Sequence, residues 1–402
     1  SRNRMRTFKQ YLFLFLITFA SAASYAGEWS GFAGLELRGF NQTAQDTRQD
    51  HDTNFSFVFE PEYFHEWDDG DQSIAFVPYV RIDEHDNERT HLDIRELTYL
   101  KVSERWELRL GIRKVFWGVT EFQHLVDIIN QTDLVENLDT EDKLGQPMIN
   151  LALINDWGTV DLFVMPYFRE RNFPGTSARL RSIPETRQDR SQFESAAKEK
   201  HIDLAARYSH YIGDWDIGLS HFYGTSRDPR LLFSTDSGGN PFLIPFYDII
   251  NQTSADIQTT KGNMLWKFEA LHRSGQGTTY NALAAGFEYT FVGIMDTALD
   301  LGVLSEYHYD DRDGLSTSIY EDDIAIGARL AFNDVQSSEA LIGLVWDRDN
   351  GGKFFNIEAS RRLGDSWLLE LQGRFFLNQK RNDLAFSVSR DDYTELFLSY
   401  NF

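Results

Sequence analysis

Cysteine is missing from all 402 residues, so neither a disulfide framework nor thiol chemistry is open to this chain. Long apolar runs are scarce too. The run YLFLFLITFA at 11–20 has ten residues, against the ~20 that a spanning helix needs, and no later stretch approaches that length. Positive charge falls short as well: 39 Lys and Arg stand against 62 Asp and Glu, a net charge of −23, which makes nucleic acid a poor partner. The ten His residues are scattered without a His-Glu-x-x-His pattern. The acidic tips at 310–314 and 347–352 lack the terminal Glu of a calcium loop. His210 and His221, on neighbouring predicted strands, are the one pair to check for hydrolase chemistry, and rim hydrogen bonding is the favoured reading for both. We therefore expect no catalytic residues, no metal and no cofactor.

Aromatic residues are abundant, at 14% with 32 Phe, 17 Tyr and 9 Trp, although overall hydropathy is negative. Such a mixture suits a chain that shows rings to lipid on one face and charge to water on the other. Residues 1–26 read as a signal peptide: a basic start, the apolar run, then small residues through Ser24-Tyr25-Ala26. Its removal takes away four cations and no acid, moving the net charge from −23 to −27. Residues 27–402 form the mature part. Without spanning helices, a membrane location requires a closed barrel, which satisfies every backbone group internally.

From residue 30 onward the chain repeats about ten residues of alternating character followed by a turn. Ile324, Ile326, Ala328, Leu330 and Phe332 share one face, while Asp323, Gly327 and Arg329 share the other. Short turns carry an indole at their edge, at Trp67, Trp106, Trp157, Trp215 and Trp367, which describes an interfacial girdle. Long polar connections are expected at 41–53, 84–90, 118–146, 169–200, 226–246, 274–279, 310–320, 348–353 and 378–392. With eight short turns they connect about 18 antiparallel strands in an up-and-down transmembrane β-barrel, with 16 as the alternative because 246–258 and 336–348 alternate poorly.

The chain ends with Leu396, Leu398, Tyr400 and Phe402, apolar at every second position. This ending resembles the C-terminal signature of bacterial outer-membrane proteins, which implies recognition by the barrel assembly machinery through Phe402. The stretches DIRELTYL (93–100), WELRLGIRKVFWG (106–118), LGQPMINL (144–151) and DLFVMPYFRERNFPG (161–175) resemble an uncharacterised proteobacterial family of porin-like outer-membrane barrels. The resemblance covers about a third of the chain by motif and implies the fold without naming a cargo. Lys114-Val115-Phe116 departs from it, since such proteins often carry a polar or small residue before the Trp. Partners consistent with this reading are outer-membrane lipids and lipopolysaccharide, and oligomerisation stays open.

An 18-stranded barrel is too wide for strand side chains to fill, so selectivity must come from chain folded into it. The 118–146 connection is the candidate, with Phe122, Leu125, Ile128 and Ile129 at helical spacing and an acidic stretch that includes Asp127, Asp133 and Glu136. A partly helical inward loop is expected. Arg109, Arg113, Arg207, Arg329 and Arg374 are expected to face it from the wall beside Glu370, either as a transverse field or paired with neighbouring wall acids. Arg95 is left aside, because pointing it inward would turn Glu96 to lipid. The hexapeptide DIINQT occurs at 127–132 and again at 248–253. Passive diffusion of small hydrophilic solutes, with cations favoured, is the leading functional expectation. A non-conducting barrel serving an exporter or acting at the surface is the rival.

Overall fold

Alternating residues with β-branched and aromatic side chains fit a pleated sheet whose two faces meet different solvents. The computed structural model of the chain describes residues 27–312, 318–381 and 384–402. The signal-peptide reading of 1–26 lies outside these residues. The first strands are β1 (Glu28–Phe40), β2 (Thr53–Trp67), β3 (Gln72–Asp83), β4 (His91–Ser103), β5 (Trp106–Arg113), β6 (Gln146–Asn155) and β7 (Gly158–Met165). A two-residue strand, β8 (Gln192–Phe193), precedes β9 (Asp203–Ile212) and β10 (Trp215–Thr225), and a loop hairpin follows as β11 (Arg230–Thr235) and β12 (Pro241–Tyr247). The rest are β13 (Ile249–Lys261), β14 (Met264–Ser274), β15 (Tyr280–Phe291), β16 (Asp300–Asp310), β17 (Asp322–Ala331), β18 (Glu339–Asp347), β19 (Lys353–Leu363), β20 (Trp367–Leu377) and β21 (Tyr393–Asn401).

Eighteen of these strands form one antiparallel sheet, each beside its predecessor, and β1 pairs with β21 from Phe32↔Asn401 to Phe40↔Tyr393. The sheet is therefore closed and has no free edge, the condition for surviving in hydrocarbon. The chain is a closed, up-and-down antiparallel β-barrel. Its apolar face points outward: Ile326 is 50% exposed while the next residue inward, Ala325, is fully buried. Leu396, Tyr400 and Phe402 lie on the same outer surface.

All but two of the nine Trp residues mark the short-turn rim. To the five expected there the structure adds Trp29 near the start of β1 and Trp266 near the start of β14. Trp346 stands at the opposite end of its strand, and Trp117 is buried inside the barrel. The 226–246 connection, expected as a polar loop, instead contains the β11–β12 hairpin, joined in parallel by β8. Asp236 organises its turn by accepting the amides of Gly238 and Asn240.

Arg95 points inward without turning Glu96 to lipid, because β4 carries a bulge there. Val77 pairs with Glu96 and Pro78 with Ile94, so Arg95 is the extra residue. Pro78 has no N–H to offer at that point, which is where a sheet accepts a bulge.

Candidate functional site: the inward loop and its chamber

The connection between β5 and β6 enters the lumen and crosses it. Asn130 ties its two ends together, donating to the carbonyls of Arg113 and Leu144 and accepting the Val115 amide, all within 2.9 Å. From there the segment reaches the far wall. Glu269 on β14 accepts four hydrogen bonds, from the amides of Val119, Thr120 and Val126 and from the Thr120 hydroxyl. Glu306 on β16 accepts the amides of Glu121 and Phe122. The Glu121 carboxylate binds Arg329 on β17 at 2.6 Å.

These contacts correct the helical expectation: 118–146 holds no helix. Carboxylates take the amides that a helix would pair internally, with Asp127 accepting those of Trp117 and Gly118 in the same way. Apolar spacing therefore serves a different purpose here. Val126, Ile128 and Ile129 pack with Trp117 against Met148, Phe163, Met165, Ala205, Phe222 and Ile250 from the inner wall. The two DIINQT copies thus meet, through Ile129 and Ile250, in one core. Inward apolar residues such as Ile250 on β13 and Leu341 on β18 also explain why those strands alternate poorly.

The returning half of the loop lands on a buried ionic network. Arg95 holds Asp133 at 2.5 Å, Arg81 holds Glu136 at 2.6 Å, and Tyr79 donates to Glu136 at 2.7 Å. Arg38 pairs with Glu395 and donates to the Glu136 carbonyl. Glu36 accepts from Arg81 and Arg89, Arg89 also meets Asp83, and Asp93 links Arg95 to Arg169. Each of these carboxylates meets at least one guanidinium, the condition for burying ions at all.

The expected site residues divide into three groups. Arg329 and Arg374 meet loop acids, but these are Glu121 and Asp139, at 2.6 and 3.2 Å. Asp133 and Glu136 do face wall arginines, which are Arg95, Arg81 and Arg38. Arg109, Arg113 and Arg207 stay within the wall, on Glu107, Asn150 and Asp256 respectively. Asp127 folds the loop rather than meeting an arginine, and Glu370 sits within β20 between Ser360 and Phe397. Sequence reading passed over Arg38, Arg81 and Arg89; the parity of Glu36 and Arg38 against Leu35 and Leu37 was the available signal for the first. His210 and His221 are not brought together, since His210 pairs with Ile217 and His221 with Ala206. His221 bonds Thr253 at 2.9 Å instead.

Between this loop and the outer connections lies a chamber of about 920 Å³. Its lining alternates charge, as at Glu121, Asp139, Lys143 and Arg374, with apolar surface, as at Phe122, Leu138, Phe173 and Phe354. Two loop groups carry shifted pKa values: His124 in the lining, and Asp142 between the lining residues Glu141 and Lys143. Burial disfavours the His124 cation, but Glu141 at 3.1 Å, with Asp127 and Glu269, outweighs it and lifts the pKa to about 9. Asp142 touches water yet stands confined among Asp139, Glu136 and Asp133; desolvation first, then those charges, push it up to about 7.

The signs follow directly. Asp142 is raised above its free value, so it holds a proton below about pH 7 and becomes an anion above it, while His124 stays cationic on both sides. Reversal-potential measurements should show the lumen losing cation preference as pH falls from about 8 to about 6, and Asp142→Asn should flatten that change. An identical slope in the variant would remove the assignment.

No family model matches the chain, and no curated protein sequence matches it, so the motif resemblance has no sequence-level counterpart. Solved structures do match. OccK3 (OpdO) of Pseudomonas aeruginosa is similar at TM-score 0.52 and 11% identity, over 92% of this chain and 95% of that one. The Escherichia coli outer-membrane protein Wzi, described as a carbohydrate-binding β-barrel involved in group 1 capsule assembly, is similar at TM-score 0.53 and 8% identity, over 92% and 84%. At such identities the likeness is one of fold: this chain shares the β-barrel architecture of OccK3 and of the outer-membrane protein Wzi.

Proposed function

We propose that the mature chain, 27–402 after loss of a signal peptide, is a constricted outer-membrane channel for passive diffusion of small hydrophilic solutes or ions. The observation that carries this reading is the water-accessible chamber, about 920 Å³, held open between the inward loop and the outer connections by charged side chains from both. Loop acids opposite wall arginines, as at Glu121–Arg329 and Asp139–Arg374, give the constriction a transverse field. The pore-lining assignment thus keeps Arg329, Arg374 and Asp127 and adds Glu121 and Asp139, while Asp133 and Glu136, buried on the wall arginines, anchor the loop instead. Phe402 serves the barrel assembly machinery, and the outer rim meets lipopolysaccharide.

A second reading has its own support. The inward loop is anchored on opposite walls through Glu269 and Glu306 on one side and Arg81 and Arg95 on the other, as a seal would be. A barrel closed in this way would be non-conducting, serving as the outer-membrane partner of an exporter or as a surface protein. Planar-bilayer recording separates the two: discrete single-channel steps are expected, and a silent membrane despite verified insertion would transfer the case to the sealed barrel.

A further inference from the structure

Where the loop meets β4, three atoms of metal-ligating type converge. His91 Nε2 lies 3.5 Å from Glu136 Oε1 and 3.9 Å from Asp133 Oδ2, and the potential ligand atoms all stand within 4.8 Å of one another. The imidazole is oriented from behind. Its Nδ1 is 2.9 Å from the Arg89 carbonyl, which can only accept, so the ring proton belongs on Nδ1 and the Nε2 lone pair faces the carboxylates. A histidine that donates its second ring N–H to a backbone carbonyl is the usual supporting arrangement of a metal ligand.

Two further observations point to a missing cation. His91 Nε2 and Glu136 Oε1 are buried with no hydrogen-bond partner, and the Glu136 side chain is only 5% exposed. The Arg95 guanidinium reaches both carboxylates, yet His91 Nε2 and Glu136 Oε1 are left without a hydrogen bond. The surrounding network is also short of positive charge. It sets six carboxylates (Glu36, Asp83, Asp93, Asp133, Glu136 and Glu395) against five guanidinium groups (Arg38, Arg81, Arg89, Arg95 and Arg169). Glu60 on β2, which interacts electrostatically with Arg95 and Glu136, makes a seventh carboxylate. Lys114, the cation that acts most strongly on Glu60, comes with it, so the network stays short of one positive charge.

We propose that His91, Asp133 and Glu136 bind a divalent first-row transition-metal ion that clamps the inward loop to the barrel wall. Ligand atoms held ~2.1 Å from a common ion at tetrahedral angles stand about 3.4 Å apart; the His91–Glu136 separation of 3.5 Å matches this, and the His91–Asp133 separation of 3.9 Å needs about half an ångström of closure. One imidazole and two carboxylates suit zinc, manganese, iron or cobalt; calcium would want six to eight oxygens. Arg95 flanks both carboxylates, at 2.5 Å from Asp133 and 3.4 Å from Glu136, and orients them. The site requires the barrel and its loop, and holds whether or not the lumen conducts.

The test uses the tag-free mature barrel in detergent, stripped with chelator and titrated with Co²⁺ by visible absorption and equilibrium dialysis. One saturable equivalent, displaced by Zn²⁺, is expected. His91→Ala should weaken binding by about tenfold or more. His91→Gln, whose amide can still donate to Arg89, should do the same with the barrel's circular dichroism and heat-modifiable migration unchanged. Wild-type protein that takes up no more Co²⁺ than His91→Gln overturns the proposal.

Discussion

Excising residues 119–142 and closing the gap with a short Gly/Ser linker is expected to raise single-channel conductance several-fold and to abolish most ion preference. An 18-stranded cylinder is too wide for strand side chains alone to fill. The lumen is narrowed by the connection crossing from β5 to the β14–β17 wall and back to β3 and β4, with Phe173, Pro174 and Leu180 of the 169–200 connection beside it. Closure is feasible because Arg113 and Gln146, just outside the excised stretch, are register partners. The wall carboxylates and arginines released by the deletion would face water in a wider pore, where their charges are solvated rather than stranded. Paired bilayer recordings of wild-type and excised protein measure the effect. Equal conductance in the two would mean that the ion path avoids this loop.

Glu269→Leu should release the far end of the same loop without removing it. One carboxylate accepts three amides and a hydroxyl there, and the leucine leaves the three amides without partners, while the Thr120 hydroxyl keeps the Gln123 carbonyl. Each stranded buried donor costs ~1–3 kcal/mol, so docking of residues 119–126 loses several kcal/mol. Hydrogen–deuterium exchange of the peptide spanning these residues should accelerate by orders of magnitude, and channel current should become noisier. Glu269→Gln, which keeps one accepting oxygen, should fall between. Unchanged protection in the leucine variant would show that the apolar contacts of Val126, Ile128 and Ile129 hold the loop alone.

The wall could be read from the chain because each strand carries its own two-sided record. Asp323, Gly327 and Arg329 against Ile324, Ile326 and Leu330 need no distant partner to be interpreted, since lipid is the same everywhere around the ring. The long connections came out close to their structural limits for the same reason. What lies inside was harder. Whether Glu269 holds an amide or faces water depends on a segment some 150 positions away, and nothing near Glu269 records it. The helical spacing of Phe122, Leu125, Ile128 and Ile129 signalled burial correctly and conformation wrongly, because wall carboxylates outbid the helix for its amides. Arg95 needed a third kind of information: Pro78 on the neighbouring strand, whose missing N–H places the bulge.

The crossing segment also constrains the order of assembly. It is synthesised early, between β5 and β6, yet its resting contacts include Glu306, Arg329, Gln372 and Arg374, which emerge from the ribosome long afterwards. Its final position cannot be reached until the last hairpins have arrived and the seam between β21 and β1 has shut. Insertion and narrowing of the lumen therefore finish as a single event, and a half-built cylinder has no means of being selectively permeable.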